Sequence, residues 1–148
     1  MRLPPVFVTA LSGLVMWLVA RTLPSLRFDF PGRQTVAIAL LGLGAAISLA
    51  GVIAFRRART TTNPLRPGAA SSLVVTGIYT RTRNPMYLGF AVALLAWSAW
   101  LAHPLTLLGV VGFMAWMNRF QIAAEERAIS ALFGGEFERY RDRVRRWL

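Results

Sequence analysis

Uncharged apolar stretches recur four times along the chain. They cover residues 4–20, 35–55, 86–102 and 104–117, and every charged residue lies outside them. A helix needs about 20 apolar residues to cross the hydrocarbon core of a bilayer. The second stretch is long enough by itself, and the first becomes so if it extends over residues 3–22. The pattern predicts an all-α integral membrane protein with four transmembrane helices: two N-terminal helices and a C-terminal helical hairpin.

The hairpin prediction rests on the break between the third and fourth stretches. Only His103 separates them, and Pro104 follows it. Proline is tolerated in the first turn of a helix, so His103-Pro104 predicts a tight turn. Both stretches are short, and the second must continue past Met117 to reach the membrane interface.

The C-terminal part carries a helical pattern beyond the fourth stretch. Residues 119–133 contain neither proline nor glycine, and Gly134-Gly135 is typical of a helix end. Residues 136–148 then place apolar side chains at helical spacing with arginines between them. This pattern predicts C-terminal amphipathic helices, the last of them lying along the membrane surface.

Small residues mark one face of the second stretch. Gly42 and Ala46, like Gly44 and Ser48, are four residues apart. A Gly-x-Gly pair could belong to a dinucleotide-binding loop, but here no strand precedes it and the surroundings are apolar. Small residues at this spacing favour close helix packing in a membrane.

Composition agrees with a membrane protein and excludes several other classes. Of the 148 residues, 55% are hydrophobic, which is high for a small soluble protein. The length allows one domain, 1–148, with a two-helix part at 1–55 and a second part at 56–148. Without cysteine and with one histidine, no thiolate or histidine metal centre is expected.

The charge distribution predicts how the chain crosses the membrane. The net charge is +11, but the arginines lie in the gaps between apolar stretches, which indicates membrane flanks and not a nucleic-acid partner. Residues 56–85 contain six arginines and no acid. Arginine excess faces the cytoplasm. We therefore expect a protein of the cell (inner) membrane with residues 56–85 and both termini inside, and with residues 21–34 and the His103 turn outside.

Candidate chemistry gathers at the predicted cytoplasmic boundary. Counting along the hairpin places Arg119 level with Tyr87, and Glu125 and Glu126 about 9 Å beyond it at 1.5 Å per residue. Arginines can bind an anionic group through two hydrogen bonds, and carboxylates accept from hydroxyls or ammonium groups. We expected Arg83 and Arg119 to share an anion across the hairpin. The alternative is that these arginines reach lipid phosphates separately and that the glutamates form surface ion pairs.

Two motifs resemble the isoprenylcysteine carboxyl methyltransferase family, which is related to the phospholipid methyltransferases. The first is Leu73-Val-Val-Thr-Gly77-Ile-Tyr79 followed by Arg83-Asn84-Pro85-Met-Tyr87-Leu-Gly89. The second runs from Glu125-Glu126 through Phe133-Gly134 to Tyr140. They stand in the family's order, and each adjoins an apolar stretch.

The resemblance implies a membrane methyltransferase that uses S-adenosylmethionine. It assigns two candidate catalytic residues, Arg83 and Arg119, the latter near a carboxylate substrate. It also assigns a candidate cofactor pocket that consists of Gly77, Tyr79, Asn84, Pro85, Tyr87, Glu125 and Glu126. One departure is Asn84, where the family has histidine, because an amide cannot act as a general base near neutral pH.

The acceptor predicted from this resemblance is a lipophilic molecule that arrives through the bilayer and is methylated on a carboxylate. Carboxylate methylation needs no base, since the nucleophile is already ionised. One alternative is N-methylation of a phospholipid or another amine. The other is a non-catalytic four-helix subunit or small transporter, although a transporter would favour ionisable residues inside its spans. The oligomeric state stays open.

Overall fold

The computed structural model describes residues 3–58 and 72–148, and the described residues form helices and connecting turns without any strand. Residues 59–71, in the middle of the predicted cytoplasmic segment, lie outside the described part. The described residues contain six α-helices in chain order: α1 (Pro5–Thr22), α2 (Arg33–Arg57), α3 (Pro85–Leu101), α4 (Leu107–Trp116), α5 (Ala123–Phe133) and α6 (Gly135–Arg143). A π-helical turn, Met117–Ile122, joins α4 to α5.

In the part of the chain that the structure describes, three helical segments are long and apolar enough to cross a membrane: Pro5–Thr22, Arg33–Arg57 and Pro104–Phe133. Helix α3 is apolar but has 17 residues, or roughly 25 Å at 1.5 Å per residue. The all-helical, membrane-spanning character is thus confirmed, while a count of four spans stays a prediction. Large apolar side chains are exposed along these helices, among them Phe7 on α1 and Ile38 on α2. Such surfaces suit contact with lipid.

Helices α2 and α3 approach each other closely because glycines face each other. A Cβ atom added to Gly44 would lie 2.7 Å from the carbonyl oxygen of Gly89, and one added to Gly89 would collide with Ser48. The Ser48 hydroxyl also donates to the Met86 carbonyl at 3.2 Å. The predicted Gly44–Ser48 packing face is confirmed. Gly42 has open space around it and takes no part.

The hairpin turn is the one expected at His103. Ala102 ends α3 in the left-handed region (φ 49°), and a short 3₁₀ turn at Pro104–Thr106 starts the next helix. Nε2 of the buried His103 lies 3.0 Å from the Leu23 carbonyl oxygen, which ties the turn to the end of α1. At mid-depth, Trp97 donates to the Gly13 carbonyl at 3.0 Å.

The segment after α5 differs from the prediction. We expected residues 136–148 to lie as one amphipathic helix on the membrane, but α6 ends at Arg143 and the chain then becomes extended. Phe137 and Tyr140 are buried against Val74 and Tyr79. The apolar face of α6 therefore packs on the protein. The backbone carbonyls of Arg145 and Arg146, which follow α6, accept hydrogen bonds from residues just before α3.

Candidate functional site

Three segments meet at one end of α3. They are the stretch from Gly77 to Tyr87, the π turn with the start of α5, and the C-terminal tail (Val144–Leu148). In the π turn each backbone hydrogen bond spans one residue more than in an α-helix, and such turns are frequent at functional sites. Within it Met117, Gln121 and Ile122 are all buried.

A buried network links α3 to α5. The Tyr87 hydroxyl donates to Oε1 of Glu125 at 2.6 Å, and Nε2 of Gln121 donates to the same oxygen at 2.5 Å. Tyr87 is 5% exposed and Gln121 1%. Hydrogen bonds to an ionised carboxylate are about twice as strong as neutral ones. The two donors therefore fix the position of the Glu125 carboxylate.

Glu126 lies between two arginines. Arg146 donates to it with both arms of its guanidinium, from Nε to Oε1 at 3.0 Å and from NH2 to Oε2 at 2.6 Å. NH1 of Arg83 lies 3.2 Å from Oε1, as an ion pair without hydrogen-bond geometry. Two guanidiniums and one carboxylate leave a net positive charge at this point.

The guanidinium of Arg83 has hydrogen-bond donors that are not paired with an acceptor in the part of the chain that the structure describes. Its side chain is 10% exposed, and its buried Nε and NH1 have no hydrogen-bond acceptor among the described residues. Burial lowers the pKa of Arg83 from its usual value, and the nearby Glu126 opposes that shift. The guanidinium stays charged at any physiological pH. Buried unpaired donors are costly, so they indicate where an oxyanion would be stabilised.

The C-terminal tail is bonded to the residues that precede α3. The Arg145 carbonyl accepts from the backbone N–H of Arg83 at 2.9 Å. The Arg146 carbonyl accepts from Thr82 Oγ1 at 3.1 Å and from Asn84 Nδ2 at 3.0 Å. The family that the sequence resembles has histidine at the position of Asn84. Here Asn84 bonds to the backbone of Arg146, whose side chain in turn binds Glu126.

Gly77 and Tyr79 belong to one 3₁₀ turn, Gly77–Thr80, but face different surroundings. Gly77 (φ 62°) lines an open pocket of about 510 Å³ against α2, together with Ala54 and Arg57. Tyr79 is buried, and its carbonyl accepts from the Tyr140 hydroxyl at 2.7 Å. Burial raises the pKa of Tyr79 above its usual value, with smaller contributions from Tyr140 and Glu125, so its hydroxyl stays protonated.

Pro85 and Arg119 take no part in the hydrogen bonds and ion pairs of this charged cluster. Pro85 is buried as the first residue of α3 and packs against Gly51 of α2. Arg119 is exposed in the π turn and forms no side-chain hydrogen bond or ion pair with the described residues. The arginine found beside Arg83 is Arg146. Counting residues along the hairpin could not predict the Arg83–Arg146 pair, because the count did not include the C-terminal tail, which folds back to the start of α3.

Sequence reasoning missed three polar side chains of the site. Gln121 precedes Glu125 by four residues, and helical residues four apart are neighbours, so this spacing could have revealed it. Thr82, 1% exposed, has no comparable signal, and Arg146 is one of seven arginines after Met117. Their roles depend on the path of the tail.

The family model described as phospholipid methyltransferase matches residues 33–136, which are more than half of the chain. The chain belongs to the phospholipid methyltransferase family. As a member of that family with several long apolar helices, it is a membrane protein of the methyltransferase type.

The matched region contains every candidate site residue named from the sequence and ends before the C-terminal tail. This chain is similar to an uncharacterised protein of Haemophilus influenzae, with 49% identity over 63 residues. Those residues are 43% of this chain and the whole of that protein. No solved structure matches the chain significantly.

Proposed function

We propose that this protein transfers a methyl group from S-adenosylmethionine to a lipophilic acceptor at the cytoplasmic face of the cell (inner) membrane. The observation that carries the proposal is the partly buried charged cluster of Arg83, Glu125, Glu126 and Arg146 at one end of α3. It lies beside apolar helices that expose large side chains to lipid. A polar ligand and a membrane-borne ligand can therefore meet there.

The residues present fit the charged groups of the cofactor. The unpaired donors of Arg83 suit its carboxylate. The Glu125 carboxylate, positioned by Tyr87 and Gln121, suits its ammonium group or ribose hydroxyls. The pocket at Gly77 offers further space beside α2. When bound, S-adenosylmethionine supplies a methyl group on a positively charged sulfur.

The residues of this chain act by positioning and electrostatics. Tyr87 and Gln121 restrain Glu125, while Arg146 restrains Glu126, so the charges of the site are set before ligands bind. Such preorganisation is what electrostatic catalysis requires. Arg119, exposed in the π turn, is proposed to meet an anionic group of the acceptor.

The proposed acceptor group is a carboxylate. It attacks the methyl carbon, a C–O bond forms as the C–S bond breaks, and the sulfur leaves as a neutral thioether. No proton moves, which agrees with Asn84 donating its amide to the Arg146 carbonyl in place of acting as a base.

An amine acceptor is the second candidate, and two observations favour it. The family is that of phospholipid methyltransferases, and the Glu125 carboxylate lies in the cluster, where it could take the proton that an ammonium must lose. The C–N bond then forms as the C–S bond breaks, and the proton goes to Glu125.

Labelled cofactor distinguishes the two candidates. The purified full chain is incubated with methyl-labelled S-adenosylmethionine and a bacterial lipid extract, and the product is treated with alkali. A methyl ester releases its label as methanol, whereas an N-methyl group keeps it. Calorimetric titration with the cofactor tests the proposal before any acceptor is known, and the absence of cofactor binding by the folded protein would refute it.

A further inference from the structure

A second basic cluster lies at the other end of α3, away from the proposed methyl-transfer site. A pocket of about 210 Å³ opens there between the end of α1, the start of α2 and the end of α3. Arg21, Arg27 and Arg33 line it, together with Trp17 and Trp100. The proposed function makes no use of these residues.

The distance between the two sites places this pocket near the opposite membrane interface. Helix α3 begins at Pro85, beside the charged cluster, and ends at Leu101, which lines the pocket. Sixteen residue steps at 1.5 Å correspond to roughly 24 Å. The hydrocarbon core of a bilayer is about 30 Å thick. If one end of α3 is at one interface, the pocket lies close to the other, where lipid phosphates are found.

The charges of the pocket favour an anion. Three guanidiniums face one acid, Asp29, whose side chain is 77% exposed and lies 3.4 Å from NH1 of Arg33. Arg21 lies over the ring of Trp17, 5.3 Å from its centroid, which orients the arginine without neutralising it. The side chain of Arg27 has no hydrogen-bond or ion-pair partner among the described residues. The planar forks of arginine match phosphate oxygens in pairs.

The surroundings favour a phosphate that carries acyl chains. Tryptophan is enriched at the headgroup level of membranes, and Trp17 and Trp100 form the walls of the pocket. Leu18 and Leu14 are exposed on α1, about one and two turns deeper than Arg21, respectively. They continue the apolar wall in the direction that an acyl chain would take.

We infer that this pocket binds the phosphate of an anionic phospholipid in the leaflet opposite the methyl-transfer site. Arg21, Arg27 and Arg33 hold the phosphate, and the two tryptophans flank the headgroup. The inference also gives a role to three arginines in a short loop that the topology prediction puts outside, where arginine excess is disfavoured.

The test measures lipid binding by the purified full chain in a zwitterionic detergent. Native mass spectrometry counts bound phosphatidylglycerol, and phosphatidylcholine with the same acyl chains is the reference lipid. The variant combines Arg21→Gln, Arg27→Gln and Arg33→Gln. The matched control combines Arg56→Gln, Arg127→Gln and Arg139→Gln, three exposed arginines that do not line the pocket.

We expect the pocket variant to bind phosphatidylglycerol at least about tenfold more weakly, because charge-assisted hydrogen bonds are lost. The control should keep the affinity of the unmodified protein. The single change Arg27→Gln should weaken binding a few-fold, and since its side chain bonds to no described residue it should not disturb folding. Equal losses in the pocket variant and the control, or no loss in either, would overturn the inference.

Two further measurements identify the ligand and test this site independently of the proposed function. Displacement of the lipid by millimolar inorganic phosphate would assign the pocket to a soluble anion and overturn the lipid assignment. Cofactor titration of the pocket variant should give the affinity of the unmodified protein, because the pocket lies at the far end of α3. A protein that binds no cofactor but shows the expected lipid result would refute the proposed function and leave this inference standing.

Discussion

Replacement of Arg146 by glutamine tests whether the C-terminal tail forms part of the site. The change removes both hydrogen bonds that hold Glu126, at 3.0 Å and 2.6 Å, and leaves Arg83, at 3.2 Å, as its ion-pair partner. The tail itself stays anchored, because Thr82 and Asn84 bond to the backbone carbonyl of Arg146 and not to its side chain. The variant therefore isolates the guanidinium.

The magnitude follows from the geometry and the exposure of the pair. Hydrogen bonds to charged groups contribute about 1.5–3 kcal/mol each. The side chain of Arg146 is 37% exposed and that of Glu126 18%, so solvent screens the pair and we assign it the value of one bond and not two. A loss of about 1.5–3 kcal/mol in ligand binding corresponds to roughly 10- to 150-fold in affinity.

Calorimetric titration of the purified protein with S-adenosylmethionine is the measurement. Arg143→Gln is the matched control, since Arg143 is an exposed arginine near the tail whose Nε donates only to the Arg139 carbonyl. Arg146→Lys keeps the charge but loses the planar fork. Its cofactor affinity should therefore lie between those of Arg146→Gln and Arg143→Gln. Thermal unfolding of each variant verifies that the helices remain assembled.

A double-mutant cycle shows whether Arg146 acts through Glu126. If Arg146 positions Glu126, the combination of Arg146→Gln with Glu126→Gln should bind the cofactor no worse than Glu126→Gln alone. Unchanged affinity in folded Arg146→Gln would refute a role for the Arg146 guanidinium in cofactor binding. Losses that add in the double variant would show that the two residues act separately.

Three further predictions concern other parts of the molecule. Tyr87→Phe removes the 2.6 Å hydrogen bond to Glu125 and should weaken cofactor binding about tenfold or more in the same titration; unchanged binding would assign this pair to folding alone. Gly89→Ala should lower stability by about 1–3 kcal/mol in thermal unfolding, because its Cβ would collide with α2, whereas Gly112→Ala, which has open space, should not. Reporter fusions at Leu148 and at residue 68 should both be cytoplasmic, and an outside signal from either would contradict the predicted topology.

The helical content and its order could be predicted from the sequence because both depend on local physics. Four apolar stretches, a His103-Pro104 turn and an unbroken run to Phe133 are readable from residue type alone, and the structure places helices over all of them. The Gly44–Ser48 packing face was also predictable, since small residues at a spacing of four leave room for a neighbouring backbone. The family resemblance rested on ordered motifs, which needed no coordinates, and the phospholipid methyltransferase match confirmed it.

Only the tertiary structure decided which charged residues meet. Sequence counting paired Arg83 with Arg119, because both flank the hairpin at similar depth. The structure instead brings Arg146 to Arg83, since the tail becomes extended after Arg143 and its carbonyls satisfy Thr82, Arg83 and Asn84. A contact between residues more than sixty positions apart depends on the path of the whole chain. For the same reason the apolar face of α6, which the pattern assigned to the membrane, packs against Tyr79.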